Sequence, residues 1–184
     1  MMSGGCCGRG SCSCVSNRVS ISHGRVIEPR KIVLVTGGFD PVHSGHVSYI
    51  RAARELGDLL VVGVNSDSWL ARKKGEPFMP LDERGSIIEE FKSVDAVIVF
   101  DDSDGTAIDA INQVLDAYPN DEILFANGGD RTLDNIPEMV VESNRLRFVF
   151  GVGGEDKKNS SSWILKDYKE RVTNGKKDSE GSEA

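Results

Sequence analysis

Two histidines three residues apart carry the first chemical signal in this chain. His43 and His46 close the run Gly37-Gly38-Phe39-Asp40-Pro41-Val42-His43-Ser44-Gly45-His46. An apolar stretch, Ile32 to Val35, precedes the glycines, and Val47, Ile50 and Ala53 follow at helical intervals before Gly57. The order is buried strand, glycine-bearing loop, helix. The free N–H groups of a helix start favour anions, phosphate above all. Imidazoles three apart project to one side of that start, and each can donate a hydrogen bond to a phosphate oxygen, with charge assistance if protonated. Phosphoryl and nucleotidyl transfer need such positioning and charge neutralisation, with little acid–base work. The plainer reading is that the rings cap the helix or fill a polar crevice. A metal held by the pair would need a third ligand, and none is evident.

The elements that must position this loop follow from the apolar pattern. Strands are expected at Ile32–Val35, Leu59–Val64, Ala96–Phe100, Glu122–Ala126 and Arg147–Phe150. Their apolar runs are continuous rather than alternating, as in a parallel sheet buried on both faces. Helices are expected at 44–56, 67–72, 82–91, 106–117 and from Ser160 onward, with Ile87, Ile88 and Phe91 facing inward and a basic loop over 72–77. Alternating strands and helices give an α/β, Rossmann-like open five-stranded parallel sheet with helices on both faces. The loops after strands one, four and five, rich in Gly, Ser, Asn and Asp, then share the carboxyl edge, where such sheets bind ligands.

The chain has 184 residues, enough for one well-cored domain. Its 29 acidic and 22 basic side chains leave a net charge of -7, which argues against a broad nucleic-acid face but not against a local basic pocket. No apolar run reaches membrane-spanning length and no secretory core opens the chain, so a cytoplasmic protein without membrane or nucleic-acid partners is expected. Residues 1–29 read as a flexible Cys/Gly/Ser-rich leader, and residues 174–184 as a frayed polar tail. Cys6, Cys7, Cys12 and Cys14 could hold a soft metal. Without a histidine or a Cys-x-x-Cys loop to complete a standard site, reactive thiols in a mobile arm are the preferred reading. Asp101, Asp102 and Asp104 read as a solvated turn ahead of a helix rather than a metal loop.

The segment GGFDPVHSGH resembles the signature of the nucleotidyltransferase superfamily with the His-x-Gly-His motif. The likeness continues through GDLLVVGVNSD, LDERGSIIEEFKSVDAVIVF and NGGD, most of residues 31–130. Within it the chain is similar to the cytidylyltransferase-like branch, in particular to heptose phosphate adenylyltransferases and glycerol phosphate or phosphoethanolamine cytidylyltransferases. The resemblance implies a nucleotidyltransferase domain over 30–173. In it a phosphate oxygen of a small phosphorylated alcohol or sugar would attack the α-phosphorus of CTP or ATP and release pyrophosphate. It also implies Mg²⁺ bound mainly through substrate phosphates, with no metal site of protein ligands, and a homodimer.

On the matching positions, His43 and His46 would stabilise charge on the triphosphate. Gly38, Phe39 and Gly45 would line its phosphates. Lys74, or its neighbour Lys73, would contact a phosphate-bearing ligand. Arg84 matches a nucleotide-site arginine, and a structural pair with Asp82 or Glu83 is its alternative. Asn127, Gly129 and Asp130 fall where the family approaches the nucleobase, with Asn127 standing where a lysine is common. Ser160, Ser161 and Ser162 replace the family's Ser/Thr turn, with Lys158 adding charge; which hydroxyl meets phosphate stays open. These departures motivate a second hypothesis, a catalytically inactive nucleotide-binding regulatory module. A synthetase fragment is excluded by the lack of a Lys-Met-Ser-Lys-Ser-like element.

Overall fold

The computed structural model describes residues 21–22, 25–26, 28–129, 131, 136–154 and 160–180. Its centre is a five-stranded, wholly parallel sheet formed by β1 (Lys31–Gly37), β2 (Leu59–Val64), β3 (Ala96–Val99), β4 (Glu122–Gly128) and β5 (Leu146–Val152). The spatial order is β3-β2-β1-β4-β5. The order reverses beside β1, so the crevice outside the carboxyl ends of β1 and β4 is where an open α/β sheet takes its ligand. The expected architecture is therefore present. A separate antiparallel ladder joins Ile21–Ser22 to Arg25–Val26 within the leader.

Side-chain alternation along β1 explains why the sheet is covered on both sides. Ile32 and Leu34 join one core with Val61, Ile123 and Phe125, sealed by Ala110, Ile111 and Val114 of α4 (Ile108–Ala117). Val33 and Val35 join the other with Leu60, Val62 and Ala126, sealed by Ile50 and Ala53 of α1 (Ser44–Arg54) and Ile88 of α3 (Leu81–Glu89). All four residues of β1 from Ile32 to Val35 are fully buried. Burying a side chain of this kind contributes roughly 1.5–3 kcal/mol, so β1 anchors both layers.

Several boundaries differ from the sequence expectation. The helix α2 runs Asp67–Lys74, so Lys73 and Lys74 occupy its last turn rather than a basic loop. Three consecutive cations there face the negative end of the helix dipole, which favours continuing the helix to Gly75. Ile87 is exposed while Ile88 is fully buried, because a nine-residue helix presents only a narrow stripe to the sheet. Asp102 does not lie in a solvated turn. It is 2% exposed and accepts from the Asn65 side chain and from both the backbone N–H and the hydroxyl of Ser66, fastening the end of β2. The last helix, α5, runs Ser161–Glu180 and so continues past residue 174, where fraying was expected. Its charged face carries i,i+4 pairs, Lys166–Glu170 and Asp167–Arg171, and each supports the helix modestly.

The turn between α1 and β2 is built on contact rather than on polar chemistry. A Cβ added at Gly57 would lie 2.5 Å from the Lys31 carbonyl oxygen and 2.8 Å from Val33 Cγ2. Neither atom can retreat without disturbing the start of β1. Gly57→Ala is expected to cost about 1–3 kcal/mol of folding stability, measured by urea denaturation, with a smaller effect refuting the tight seating of this turn.

Candidate active site

The loop from Gly38 to His43 is held at four points. Phe39 takes φ of 50°, an uncommon left-handed conformation for a bulky residue. Its buried ring sits edge-on to His46, centroids 5.1 Å apart. Asp40 is completely buried, and its two carboxylate oxygens accept from the backbone N–H groups of Phe78 and Met79, each at 2.8 Å. The Asp40 carbonyl accepts from Lys74 Nζ at 3.1 Å. The Pro41 carbonyl accepts from the Ser161 hydroxyl at 3.0 Å. The ends of α2 and α5 are thereby drawn to the glycine loop.

His43 is the N-cap of α1. Its Nδ1 accepts from the Gly45 N–H at 3.1 Å, while the His43 N–H is donated to Nδ1 of His46 at 3.3 Å. The rings stack with centroids 3.8 Å apart and planes 26° apart. A backbone N–H can only donate, so both Nδ1 atoms are acceptors and the ring proton of each neutral imidazole sits on Nε2. The pair thus presents two Nε2–H donors, both turned away from the amides of the helix start. Burial pushes His46 down to about 3, helped by the neighbouring His43 and Lys74; His43 is lowered by burial and then by Lys74. Burial also lowers Lys74, partly countered by Asp40. Near neutral pH the rings therefore act as uncharged donors, and the expectation of charge assistance passes to Lys74.

Arg84 lies beneath the loop, not on it. It is fully buried, and its guanidinium donates to the carbonyls of Met79 (3.0 Å), Gly38 (2.7 Å) and Asn65 (2.8 Å) and to Asp67 Oδ1 (2.6 Å). Four of the five guanidinium N–H groups are thus used inside the fold. Its ion-pair partner is Asp67, not Asp82 or Glu83. Lys73 sits 4.8 Å from the Trp69 ring centroid, and Lys74 is the lysine that bonds to the loop, at the Asp40 carbonyl.

The remaining expected residues divide. Asn127 is buried at the end of β4, with its amide on the Phe125 carbonyl, and Gly129 is exposed with φ of 68°. The Tyr49 hydroxyl donates to the Ala126 carbonyl at 2.6 Å, tying α1 to that strand end. A Cβ at Gly128 would come within 2.9 Å of the Tyr49 ring, so the close approach needs glycine. Ser160 caps α5 by accepting from the Trp163 N–H, Ser161 is spent on Pro41, and Ser162 is exposed. Asp130, Lys158 and the four cysteines lie outside the described residues. The sequence reading did not single out Asp40, Asp67 or Tyr49. For Asp40 a short acceptor inside a glycine loop was the available signal.

A helix start, a stacked pair of imidazole donors and a lysine, gathered at the carboxyl edge of a parallel sheet beside its reversal point, make a site suited to a phosphate-bearing ligand. The cytidylyltransferase-like family model matches residues 34–168. This chain belongs to the cytidylyltransferase-like family. It is similar to the bifunctional protein HldE of Geobacter sulfurreducens, 38% identical over 146 residues, covering 77% of this chain and 28% of that protein. The HldE protein of Erwinia tasmaniensis is 36% identical over 140 residues, covering 68% of this chain and 29% of the relative. The chain thus spans under a third of these relatives' length. Among solved structures, the lipopolysaccharide core biosynthesis protein of Thermoplasma volcanium is 28% identical with a TM-score of 0.47, covering 66% of this chain and 95% of that one. Among the described residues no helix is long and apolar enough to cross a membrane.

Two outcomes follow from the site's geometry. Arg84→Met orphans three carbonyls and one carboxylate at once, and a loss of about 3–5 kcal/mol in urea unfolding is expected. A loss below 1 kcal/mol would show that the clamp is dispensable. Because His46 is depressed in the folded state, the unfolded chain binds the extra proton between pH 6.5 and about 3. Stability therefore falls as pH drops through that window. Between pH 6.5 and 5, where most carboxylates stay ionised, His46→Asn should flatten the fall in unfolding free energy seen in the unsubstituted protein.

Proposed function

We propose that the protein transfers a nucleoside monophosphate from ATP or CTP to the phosphate of a small sugar or alcohol, releasing pyrophosphate. The observation that carries this reading is the pair of locked Nε2–H donors beside Lys74 at the start of α1. The acceptor phosphate is already anionic near neutral pH, so no general base has to be supplied. What the reaction needs is stabilisation of charge growing on the bridging and non-bridging oxygens of the triphosphate. Two neutral donors and one ammonium do this without first losing a proton.

The naming of two HldE relatives as bifunctional is a property of those longer proteins. Their similarity supports a sugar phosphate as acceptor here and ATP as the first triphosphate to try. Among the serines, Ser160 keeps its hydroxyl proton while its oxygen caps α5, and with the backbone N–H groups of Ser161 and Ser162 it would meet a phosphate. Ser161 is a strut.

Mg²⁺ would be carried on the triphosphate. Asp40, the carboxylate within the loop, has both oxygens occupied by backbone N–H groups, which fits a metal held by phosphates and water rather than by protein carboxylates. When bound, the ion neutralises charge on the leaving pyrophosphate.

The deciding experiment is a matrix of ATP and CTP against phosphorylated sugars and alcohols, followed by pyrophosphate release. One triphosphate should turn over with at least one acceptor. His46→Ala should lower kcat by about 10²–10³, or about 2.7–4 kcal/mol, by analogy with the loss of one oxyanion donor. Triphosphate binding without turnover across the matrix would favour a regulatory module. Near-full turnover by His46→Ala would end the role assigned to the pair.

A further inference from the structure

The sheet divides at the site. β1 and β4 pair residue by residue from Lys31 and Glu122 to Leu34 and Phe125. Beyond that point β1 stays beside β2 as far as Gly37, and β4 stays beside β5 as far as Gly128. The carboxyl edge is therefore made of two halves. One half, β1 and β2 with the loops after them, carries the paired imidazoles and Lys74. The other half ends in Asn127 and Gly128 of β4 and in Gly153 just past β5. A ligand in the crevice outside these strand ends lies between the two.

Tyr49 joins the halves. It stands on α1 three residues after His46, about one turn along the same side of one helix. Its hydroxyl donates to the carbonyl of Ala126 at 2.6 Å, and Ala126 is the first residue of β4 past the last pair with β1. Its ring lies against the end of β4, where a Cβ on Gly128 would stand 2.9 Å from Tyr49 Cε2. Its backbone lies against the end of β5, where a Cβ on Gly153 would stand 3.0 Å from Tyr49 Cα. Both strands of the far half thus meet α1 at one residue, and neither glycine leaves room there for a side chain.

We propose that Tyr49 is a positioning residue that sets the width of the crevice, so that one nucleoside triphosphate meets both halves at once. The bonds that aim His43 and His46 are internal to the loop and α1 and leave the distance to β4 to other contacts. The Tyr49 hydroxyl fixes that distance at the split itself. A displacement of about 1 Å between groups that share a ligand is enough to cost a reaction about 10²-fold. A bare polyphosphate needs only the half that carries the imidazoles and Lys74. A nucleoside triphosphate extends past its phosphates by a sugar and a base and draws on the far half as well. This assignment rests on the transfer reaction proposed above.

The test uses the full chain and two probes by calorimetry, magnesium tripolyphosphate and whichever of MgATP and MgCTP binds more tightly. Tyr49→Phe keeps the ring and removes the bond to Ala126. It should weaken the nucleoside triphosphate by up to about tenfold, the worth of one hydrogen bond, while tripolyphosphate stays within about twofold. In turnover it should raise KM for the triphosphate more than KM for the acceptor. Gly128→Ala, which presses a methyl onto the same ring, should give the same selective loss. Thermal unfolding of each variant separates this from misfolding, and Tyr49→Phe carries the test if Gly128→Ala fails to fold. A loss shared equally by the two probes, or no loss, in either variant that folds would overturn the proposal. So would an unsubstituted protein that binds tripolyphosphate as tightly as the nucleotide. A selective loss in a protein that transfers nothing to any acceptor would end the transfer reaction and leave the role of Tyr49 standing.

Discussion

The buried guanidinium of Arg84 is the constraint from which the rest of the site hangs. Gly38, Asn65, Asp67 and Met79 belong to three separate turns at the carboxyl edge, and Arg84 is bonded to all three. Taking a charge out of water costs several kcal/mol, and only a full set of partners offsets it. The cost is the reason the geometry is narrow. If any one turn moved by an ångström, a buried charge would lose one of its bonds. Asp40 works in the same sense from the other side, joining the glycine loop to the Phe78–Met79 backbone through both oxygens. Between them the two charges, opposite in sign, hold the loop against the turn after α2. The imidazoles, by contrast, need no buried charge to be held. The start of α1 fixes them with backbone N–H groups.

This arrangement divides labour between charged groups bonded inside the fold and uncharged ones that keep a donor free of the helix start. Arg84 and Asp40 spend their hydrogen-bonding capacity inside the protein. His43 and His46 spend only Nδ1 inside it and keep Nε2–H outward. Stacking at 3.8 Å would be costly for two imidazolium ions side by side. It is inexpensive for two neutral rings. The helix start that feeds N–H donors to the inner nitrogens sets the stacking, and burial of the stacked pair, with His43 and Lys74 beside it, lowers the proton affinity of His46.

The fold was legible because its signal is repetitive. Five continuous apolar runs separated by helical periods admit few arrangements other than a parallel sheet, and β1 and β2 fall where the runs put them. Boundaries were less legible where a charge or a pairing partner extends an element. Lys73 and Lys74 prolong α2 through the helix dipole, and Asn127 and Gly128 stay in β4 because β5 reaches Val152 beside them. Within the site, the spacing of His43 and His46 pointed to the loop, the resemblance supplied Gly38 and Lys74, and the structure brings all four to one place. Arg84 and Asp102 were not readable in the same way. Sequence shows that such a residue is charged but not whether it is exposed, and burial reverses its meaning. An exposed arginine near a nucleotide loop suggests a ligand contact. The same arginine at 0% exposure, with four internal acceptors, is a strut.

The choice of neutral imidazole over ammonium at the centre of the site has a physical consequence for the chemistry. A fully charged pair would bind the ground-state triphosphate, already multiply anionic, nearly as well as the transition state, and uniform binding lowers KM without raising kcat. Neutral donors bind weakly at first. They strengthen as negative charge gathers on the oxygens they face, so more of their interaction appears at the barrier. In the proposed reaction Lys74 would complement them with the long-range attraction that brings a polyphosphate to the loop. It is partly buried and tethered to the Asp40 carbonyl. Positioned donors fixed in advance by backbone bonds, with one cation held at the rim, are what an oxyanion-stabilising site requires.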